Sequence, residues 1–484
     1  MYKTLTLLYL VGVIFAMEGY AQSAETNLSK ENKSVKSLKI ENIGSEFLGK
    51  INIEEATGYS GDDTIFFNLL SKGDIDNDGF EDLVIALHRH DTTTSYSGRE
   101  FDPSGAIKPI VLFYDENTDN YSINKQLQSV IADNEHARQA AIQDFDGDDR
   151  KDIFIGDHGY DDAPYGNQNT FLLNKPDGYV DGTNILPQYR DYSHGLVIAD
   201  FDANGKSDLL VMNNGVGSKT KCDKYKGFKG CKNNLTKQSE SYVLFNHGVS
   251  GLKKGTLKIP NEVINFTATA DLDDKSLRLY VGHGADLNND GRVDLMISNH
   301  KNLFIIESNK LGRFNNAITF SPPKLARANC KKEMPYTAIN TLDMDNDGTL
   351  EIIASFGCGL QQVEFQAFKR YKNDKWSDAT EELIGDQSAN TALSDGWCYK
   401  LEVYDVNVDG IKDVICQSTR GLGEPTNNIF WYGGKKLEFS GVTLLEGKWY
   451  NFQTVVKGIA GTYVLGFHKE HGERDISIRR WKIE

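Results

Sequence analysis

The sequence is short of several things, and each shortage closes off a class of explanation. Only ten prolines occur in 484 residues, beside 39% hydrophobic and 11% aromatic residues, which excludes wholesale disorder. No stretch reaches the roughly 18 consecutive apolar residues that a membrane-spanning helix needs. Positive charge is in deficit: 53 Lys and Arg against 69 Asp and Glu leave a net charge of −16, which argues against a nucleic-acid binder. There is no Cys-x-x-Cys pair, His-Glu-x-x-His zinc motif, phosphate loop or Ser-His-Asp motif. Catalysis is therefore not announced by any local motif.

The N-terminus reads as an export signal. Lys3 supplies a basic start, Leu5 to Ala16 is nearly all apolar, and Gly19-Tyr20-Ala21 resembles a small-x-small cleavage site. No Cys follows the apolar run, so a lipoprotein anchor has no support. The expected layout is a signal peptide over 1–21, a linker over 22–36 and one domain over 37–484, in a secreted, periplasmic or extracellular chain. All six cysteines lie after the cut, and an even number in an exported chain implies disulfides, with 15 pairings open.

What the sequence has in quantity is one acidic pattern, repeated six times. Its positions 1, 3, 5 and 9 are Asp74, Asp76, Asp78 and Asp82, then Asp144, Asp146, Asp148 and Asp152. Asp200, Asp202, Asn204 and Asp208 follow, then Asp286, Asn288, Asp290 and Asp294. The last two sets are Asp343, Asp345, Asp347 and Glu351, and Asp405, Asn407, Asp409 and Asp413. Calcium takes six to eight oxygen ligands, which side chains at these positions and a backbone carbonyl can supply. Glycine at position 6, present in five copies with Asp149 in the other, permits the sharp turn. Without a cation the clustered carboxylates would repel one another.

An EF-hand is excluded, because position 12 holds Ile85, Ile155, Val211, Ile297, Ala354 and Cys416 where that motif needs Glu. A short apolar run follows position 9 instead, which reads as a buried strand. Each loop therefore joins two antiparallel strands. Further strand-like segments at 170–174, 242–246, 303–307 and 428–432 complete a repeat of about 60 residues with four short strands, the pattern of a propeller blade. Insertions are expected near 88–108 and 216–240. Gly461 to His468 copies the second strand without an acidic loop, Asp475–Ile483 adds another, and the N-terminal segment Ser37–Leu48 is available as an outer strand. The expected fold is all-β, a seven-bladed β-propeller with calcium-binding hairpin loops, with six blades as the alternative.

These loops and their following strands, spread from Gly73 to Thr419, resemble the FG-GAP/VCBS repeat family, which is related to the integrin α-subunit propeller. The resemblance implies about six Ca²⁺ ions. It says little about the ligand, since similar propellers serve adhesion, lectin-type sugar binding or polysaccharide degradation. Six Ca²⁺ would take the net charge from −16 to −4, so the acidity is mostly ion-binding equipment. The repeat register favours disulfides Cys398–Cys416 and Cys330–Cys358 across the sixth and fifth loops, and Cys222–Cys231 within a surface loop.

Histidines gather at one register position. Six residues past position 9 lie His88, His158, Asn214, His300, Gly357 and Thr419, and His468 falls in the same column of the seventh repeat. That column marks the rim opposite the calcium loops, where His136 and His194 also project, near Asp157, Tyr160, Asp161, Asp162, Tyr165 and Asn167. Two readings follow. In one, the histidines cap strand ends and the protein is a binding or adhesion module for carbohydrate or a cell-surface partner, monomeric and without a membrane anchor. In the other, His136, His158 and His194 serve with Tyr as acid and base in an extracellular lyase of an acidic glycan, with Arg89, Arg138 or Arg190 neutralising a uronate carboxylate. The Lys-rich insertion 216–240 is either a solvated loop or an attractor for an anionic glycan.

Overall fold

The computed structural model describes residues 46–60, 64–90, 106–159, 167–188, 192–213, 241–260, 263, 279, 281–299, 302–309, 313–323, 333–358, 363–372, 374–385, 387, 397–406, 410–419, 429–432, 438–441, 452–469 and 473–482. The expected signal peptide and linker, the Lys-rich insertion, Cys222, Cys231, Cys330, Arg190, Tyr160, Asp161, Asp162, Tyr165, Asn214 and His300 lie outside them. Among the described residues no helix is long and apolar enough to cross a membrane.

The chain is all-β. The described residues begin with β1 (Glu46–Asn52) and then run through four-stranded antiparallel meanders. The first sheet is β2 (Thr64–Gly73), β3 (Asp82–His90), β4 (Ile110–Asp115) and β5 (Asn120–Ile123). The second is β6 (Ala137–Gln143), β7 (Asp152–Asp157), β8 (Thr170–Lys175) and β9 (Gly178–Asp181), and the third is β10 (Ser193–Ala199), β11 (Asp208–Asn213), β12 (Tyr242–Asn246) and β13 (Leu252–Gly255). The fourth holds β14 (Val281–Ala285), β15 (Asp294–Ser298), β16 (Leu303–Ser308) and β17 (Phe314–Phe320). The fifth holds β18 (Glu333–Leu342), β19 (Glu351–Cys358), β20 (Val363–Arg370) and β21 (Trp376–Asp378). The sixth holds β22 (Trp397–Tyr404), β23 (Asp413–Thr419), β24 (Ile429–Tyr432) and β25 (Glu438–Gly441).

The last sheet is assembled from both ends of the described chain. β26 (Phe452–Gly458), β27 (Gly461–His468) and β28 (Asp475–Lys482) form a meander, and β1 pairs antiparallel with β28 as its outer strand. The described residues thus form seven four-stranded sheets. The N-terminal segment supplies the outer strand as its sequence suggests, through Glu46–Asn52, while residues 37–45 of the expected Ser37–Leu48 lie outside the described residues.

Burial explains the sequence pattern. Every residue of β7, β11 and β15 is buried, because a second strand is covered on both faces by neighbouring sheets. The first strand β10 alternates instead, with every second residue buried and those between more exposed. The core is divided among sheet-to-sheet interfaces. Phe67, Leu83 and Ile85 of the first sheet pack with Phe467, Ile476 and Ile51 of the last. Val84 and Val111 pack with Ile153 and Leu172 of the second sheet, and Phe154 and Phe171 pack with Leu209 and Val211 of the third. The same scheme continues from the third sheet to the sixth. Cys398 and Cys416 are joined by a disulfide between β22 and β23, with Cα atoms 5.5 Å apart and both residues fully buried.

Candidate functional site

Each acidic loop joins the first strand of a sheet to its second. The chain there must turn twice, and it does so with two left-handed residues. Position 6 has a positive φ at Gly79, Gly205, Gly291, Gly348 and Gly410, and also at Asp149, with φ 67°. Position 4 is left-handed as well, at Asn77, Gly147, Ala203, Asn289 and Asn346. Asparagine tolerates that conformation better than most residues, which accounts for its frequency there. The second loop has its glycine at position 4, not position 6.

The carboxylates organise these turns. Asp74 Oδ1 accepts the N–H of Asp78 at 3.0 Å, and its Oδ2 accepts the N–H of Gly79 at 3.0 Å. Asp78 Oδ1 accepts the N–H of Phe80 at 2.8 Å. Loops three, four and five repeat all three bonds through Asp200 and Asn204, Asp286 and Asp290, and Asp343 and Asp347. The position-5 side chain thus spends one oxygen on the turn.

Position 9 has a task that the sequence pattern does not reveal. Asp82, Asp152, Asp208, Asp294 and Glu351 are completely buried, and Asp413 nearly so. One oxygen of each accepts the N–H of position 2, at Ile75, Phe145, Phe201, Leu287, Met344 and Val406. In the first four loops the other oxygen accepts an N–H of the third strand, from Tyr114, Asn174, Asn246 and Ser308. This carboxylate therefore ties loop to sheet, whether or not it also touches a cation. Burial pushes its pKa up, to about 7 for Asp82, Asp152 and Glu351 and about 6 for Asp208 and Asp294. A divalent cation in the loop would favour the ionised form.

Four loops bring three acidic side chains together with ligand oxygens within 4.8 Å of one another: Asp74, Asp76 and Asp78; Asp144, Asp146 and Asp152; Asp200, Asp202 and Asp208; Asp343, Asp345 and Asp347. Partial desolvation, then the neighbouring charges of Asp78 and Asp74, raises the pKa of Asp76, a repulsion that a cation would relieve. The hard-oxygen donor set fits calcium. The fourth loop substitutes the neutral amide of Asn288, and Asn407 and Asp409 of the sixth loop lie outside the described residues.

Basic side chains reach some of these clusters. Lys369 Nζ contacts Asp345 Oδ2, Asp347 Oδ2 at 2.8 Å and Glu351 Oε1 at 3.6 Å. Lys175 Nζ contacts Asp146 Oδ2 and lies 3.3 Å from Asp148 Oδ2. Arg150 pairs with Asp148 and Arg292 with Asp290. Hydrogen bonding from Lys369 and Thr349 lowers Asp347 to about 2.

At the strand ends opposite the acidic loops the structure gathers four of the predicted histidines into one run. The rings of His88 and His136 lie 4.4 Å apart, those of His136 and His158 5.9 Å, and those of His158 and His194 5.4 Å, all edge-on. The ring of Tyr192 stands 5.5 Å from His158. The run crosses three neighbouring sheets, and His88 and His158 are buried within it. Burial, then the positive charge of Arg138 and the neighbouring imidazoles, holds His136 well below the ordinary histidine pKa, so it is neutral near pH 7. His468 ends β27 opposite Ser477.

Asp157, flagged from sequence as a nearby polar group, is fully buried and structural. Its carboxylate accepts the N–H groups of Glu135, His136 and Gly159 at 2.8–2.9 Å, and the side-chain amides of Asn134 and Asn167. It fixes the backbone that carries His136 and His158. Lys369, Lys175 and the position-9 clamp were not anticipated from sequence. A lysine at this place in β20, where the aligned residues of β4, β8 and β12 are Phe113, Leu173 and Phe245 and that of β16 is Glu307, is the signal that could have found the first.

Comparison with known proteins bears on the repeat. Residues 286–354 match the family model described as an FG-GAP-like repeat, so the chain carries a repeat of the kind its acidic loops resemble. No curated protein matches the sequence. Among solved structures, a lectin of Agrocybe aegerita that recognises non-reducing terminal N-acetylglucosamine is 13% identical, with a TM-score of 0.39 over 88% of this chain and 91% of that one. The NanB sialidase of Streptococcus pneumoniae is 12% identical, with a TM-score of 0.39 over 91% and 70%. The Dos1 propeller is 10% identical, with a TM-score of 0.38 over 93% and 97%.

Proposed function

We propose that this chain, which carries an FG-GAP-like repeat, is a calcium-stiffened propeller that acts outside the cytoplasm as a binding module for carbohydrate or a cell-surface partner. The convergence of three acidic side chains in four separate loops carries the calcium part of this reading. In it, the seven sheets are blades of a closed ring, fastened by the pairing of β1 with β28. Calcium would be held by the side chains at positions 1 and 3, joined by position 5 in the first and fifth loops and by position 9 in the second and third, while the position-9 carboxylate also clamps each loop to its sheet. The ions have a structural role: they lower carboxylate repulsion and fix one rim, leaving the other to present a ligand surface. His88 and His158 are packed among other rings, which suits a scaffold that supports such a surface. The test is binding to a panel of neutral and acidic glycans, by calorimetry, with calcium and with chelator. Saturable binding that needs calcium supports the reading, and failure to bind across a broad panel counts against a carbohydrate ligand.

One observation favours the alternative, an acidic-glycan lyase. The positive charge of Arg138 acts on His136, so a guanidinium and an imidazole are near enough to influence one another. In that chemistry the imidazole would take the proton beside a uronate carboxylate, the guanidinium would hold that carboxylate, and a neighbouring acid would protonate the leaving oxygen. Absorbance of new unsaturated ends, lost in His136→Ala and His158→Ala, would establish it.

A further inference from the structure

The fifth acidic loop differs from the others in three linked ways. Its position 9 is Glu351, one methylene longer than aspartate. Oε2 of Glu351 makes the usual bond to the N–H of Met344 at 2.8 Å, but the buried Oε1 has no hydrogen-bond partner. What lies in front of Oε1 is the ammonium of Lys369, 3.6 Å away, which also contacts Asp345 and Asp347. Lys369 belongs to β20 and takes a register position held by Phe113, Leu173 and Phe245 in β4, β8 and β12 and by Glu307 in β16. Only 8% of the residue is exposed. An ammonium buried there is costly unless anions surround it. The three carboxylates do so, and two of them, Asp345 and Asp347, belong to the cluster with Asp343 that would ligate a metal.

We propose that Lys369 is a built-in cation of the fifth loop, so that this loop closes without metal and takes calcium only by displacing the ammonium. The inference rests on the calcium reading of the loops and divides them into two classes. In the first and third loops no Lys or Arg pairs with the acidic ligand side chains among the described residues, so their charge is relieved by a divalent ion. In the fifth loop an intramolecular cation does that work, at a fixed and high effective concentration. The second loop carries a weaker version, in which Lys175 contacts Asp146 and Asp148 and Arg150 pairs with Asp148.

Calcium titration of the full chain and of Lys369→Met, by calorimetry and native mass spectrometry, tests this. The variant is expected to gain one calcium ion in the tight class, with that loop binding about tenfold or more tightly. In chelator its thermal midpoint should fall further below the wild type than it does in saturating calcium. Equal calcium number and affinity, with equal destabilisation under both conditions, would overturn the proposal. Lys175→Met gives the same test in a second loop. Acetylation of the wild type, mapped by mass spectrometry, requires no variant. Lys369 should be protected in chelator and at low calcium, and become reactive only at calcium concentrations above those that fill the tight class. Reactivity that appears with the first ions bound would overturn it. If neither protein binds calcium at all, the calcium reading itself fails, and this inference with it.

Discussion

Asp82 Oδ1 accepts the backbone N–H of Tyr114 at 3.0 Å, although 32 residues separate them in the chain. The bond joins the acidic loop of the first sheet to that sheet's third strand. The second oxygen holds Ile75 within the loop at 2.7 Å. Because the same pair of bonds recurs in the next three sheets, the position-9 carboxylate is a repeated structural clamp. Asp152→Ala should therefore orphan two buried N–H groups and cost about 3–5 kcal/mol. Asp152→Asn, which keeps one acceptor oxygen, should cost less. Urea unfolding in saturating calcium and again in chelator checks this, and a loss that disappears in chelator would make Asp152 mainly a metal ligand.

Chelation should lower the thermal midpoint of the wild type. Each calcium site held at a hundred times its dissociation constant adds about 2.7 kcal/mol to the folded state, provided the unfolded chain does not bind. Differential scanning calorimetry across a calcium series reads this directly. An unchanged midpoint would remove calcium from the loops.

The double left-handed turn makes a backbone prediction of opposite signs. Asp149 adopts φ 67° where the other loops place glycine, so Asp149→Gly should stabilise the protein by up to about 1 kcal/mol. Gly79, at φ 92°, has open space where a Cβ would go, so Gly79→Ala should cost about 1–2 kcal/mol from conformation alone. Denaturant midpoints of the two variants should move apart.

Acid sensitivity should come partly from His283. Burial pushes its pKa from 6.5 down to about 4, and its Nε2 sits 3.1 Å from the Thr341 hydroxyl. Its folded pKa is depressed, so the unfolded chain takes the proton first. The stability linked to the neutral ring is present above pH 6.5 and is lost as pH falls toward 4. The loss should reach up to about 3 kcal/mol, and His283→Gln should flatten that part of the stability profile. A profile unchanged by the substitution would place the acid sensitivity elsewhere.

The acidic loops, their glycines and the apolar strands after them were legible in the sequence, because each is written within about a dozen consecutive residues. Local chemistry determines a turn: a carboxylate at position 1 bonds to N–H groups four and five residues on, wherever the loop sits. The repeat interval likewise carried the four-stranded unit and the all-β class. Tertiary structure decided everything that depends on which strands become neighbours. It set the position-9 carboxylate against a third strand, chose Glu46–Asn52 to complete the last sheet, and drew His88, His136, His158 and His194 from three sheets into one run. It also brought Lys369 to Asp345 across 24 residues of chain. The physical reason is range. A turn is specified by the residues within it, whereas a contact between strands is specified by how whole sheets bury their apolar faces.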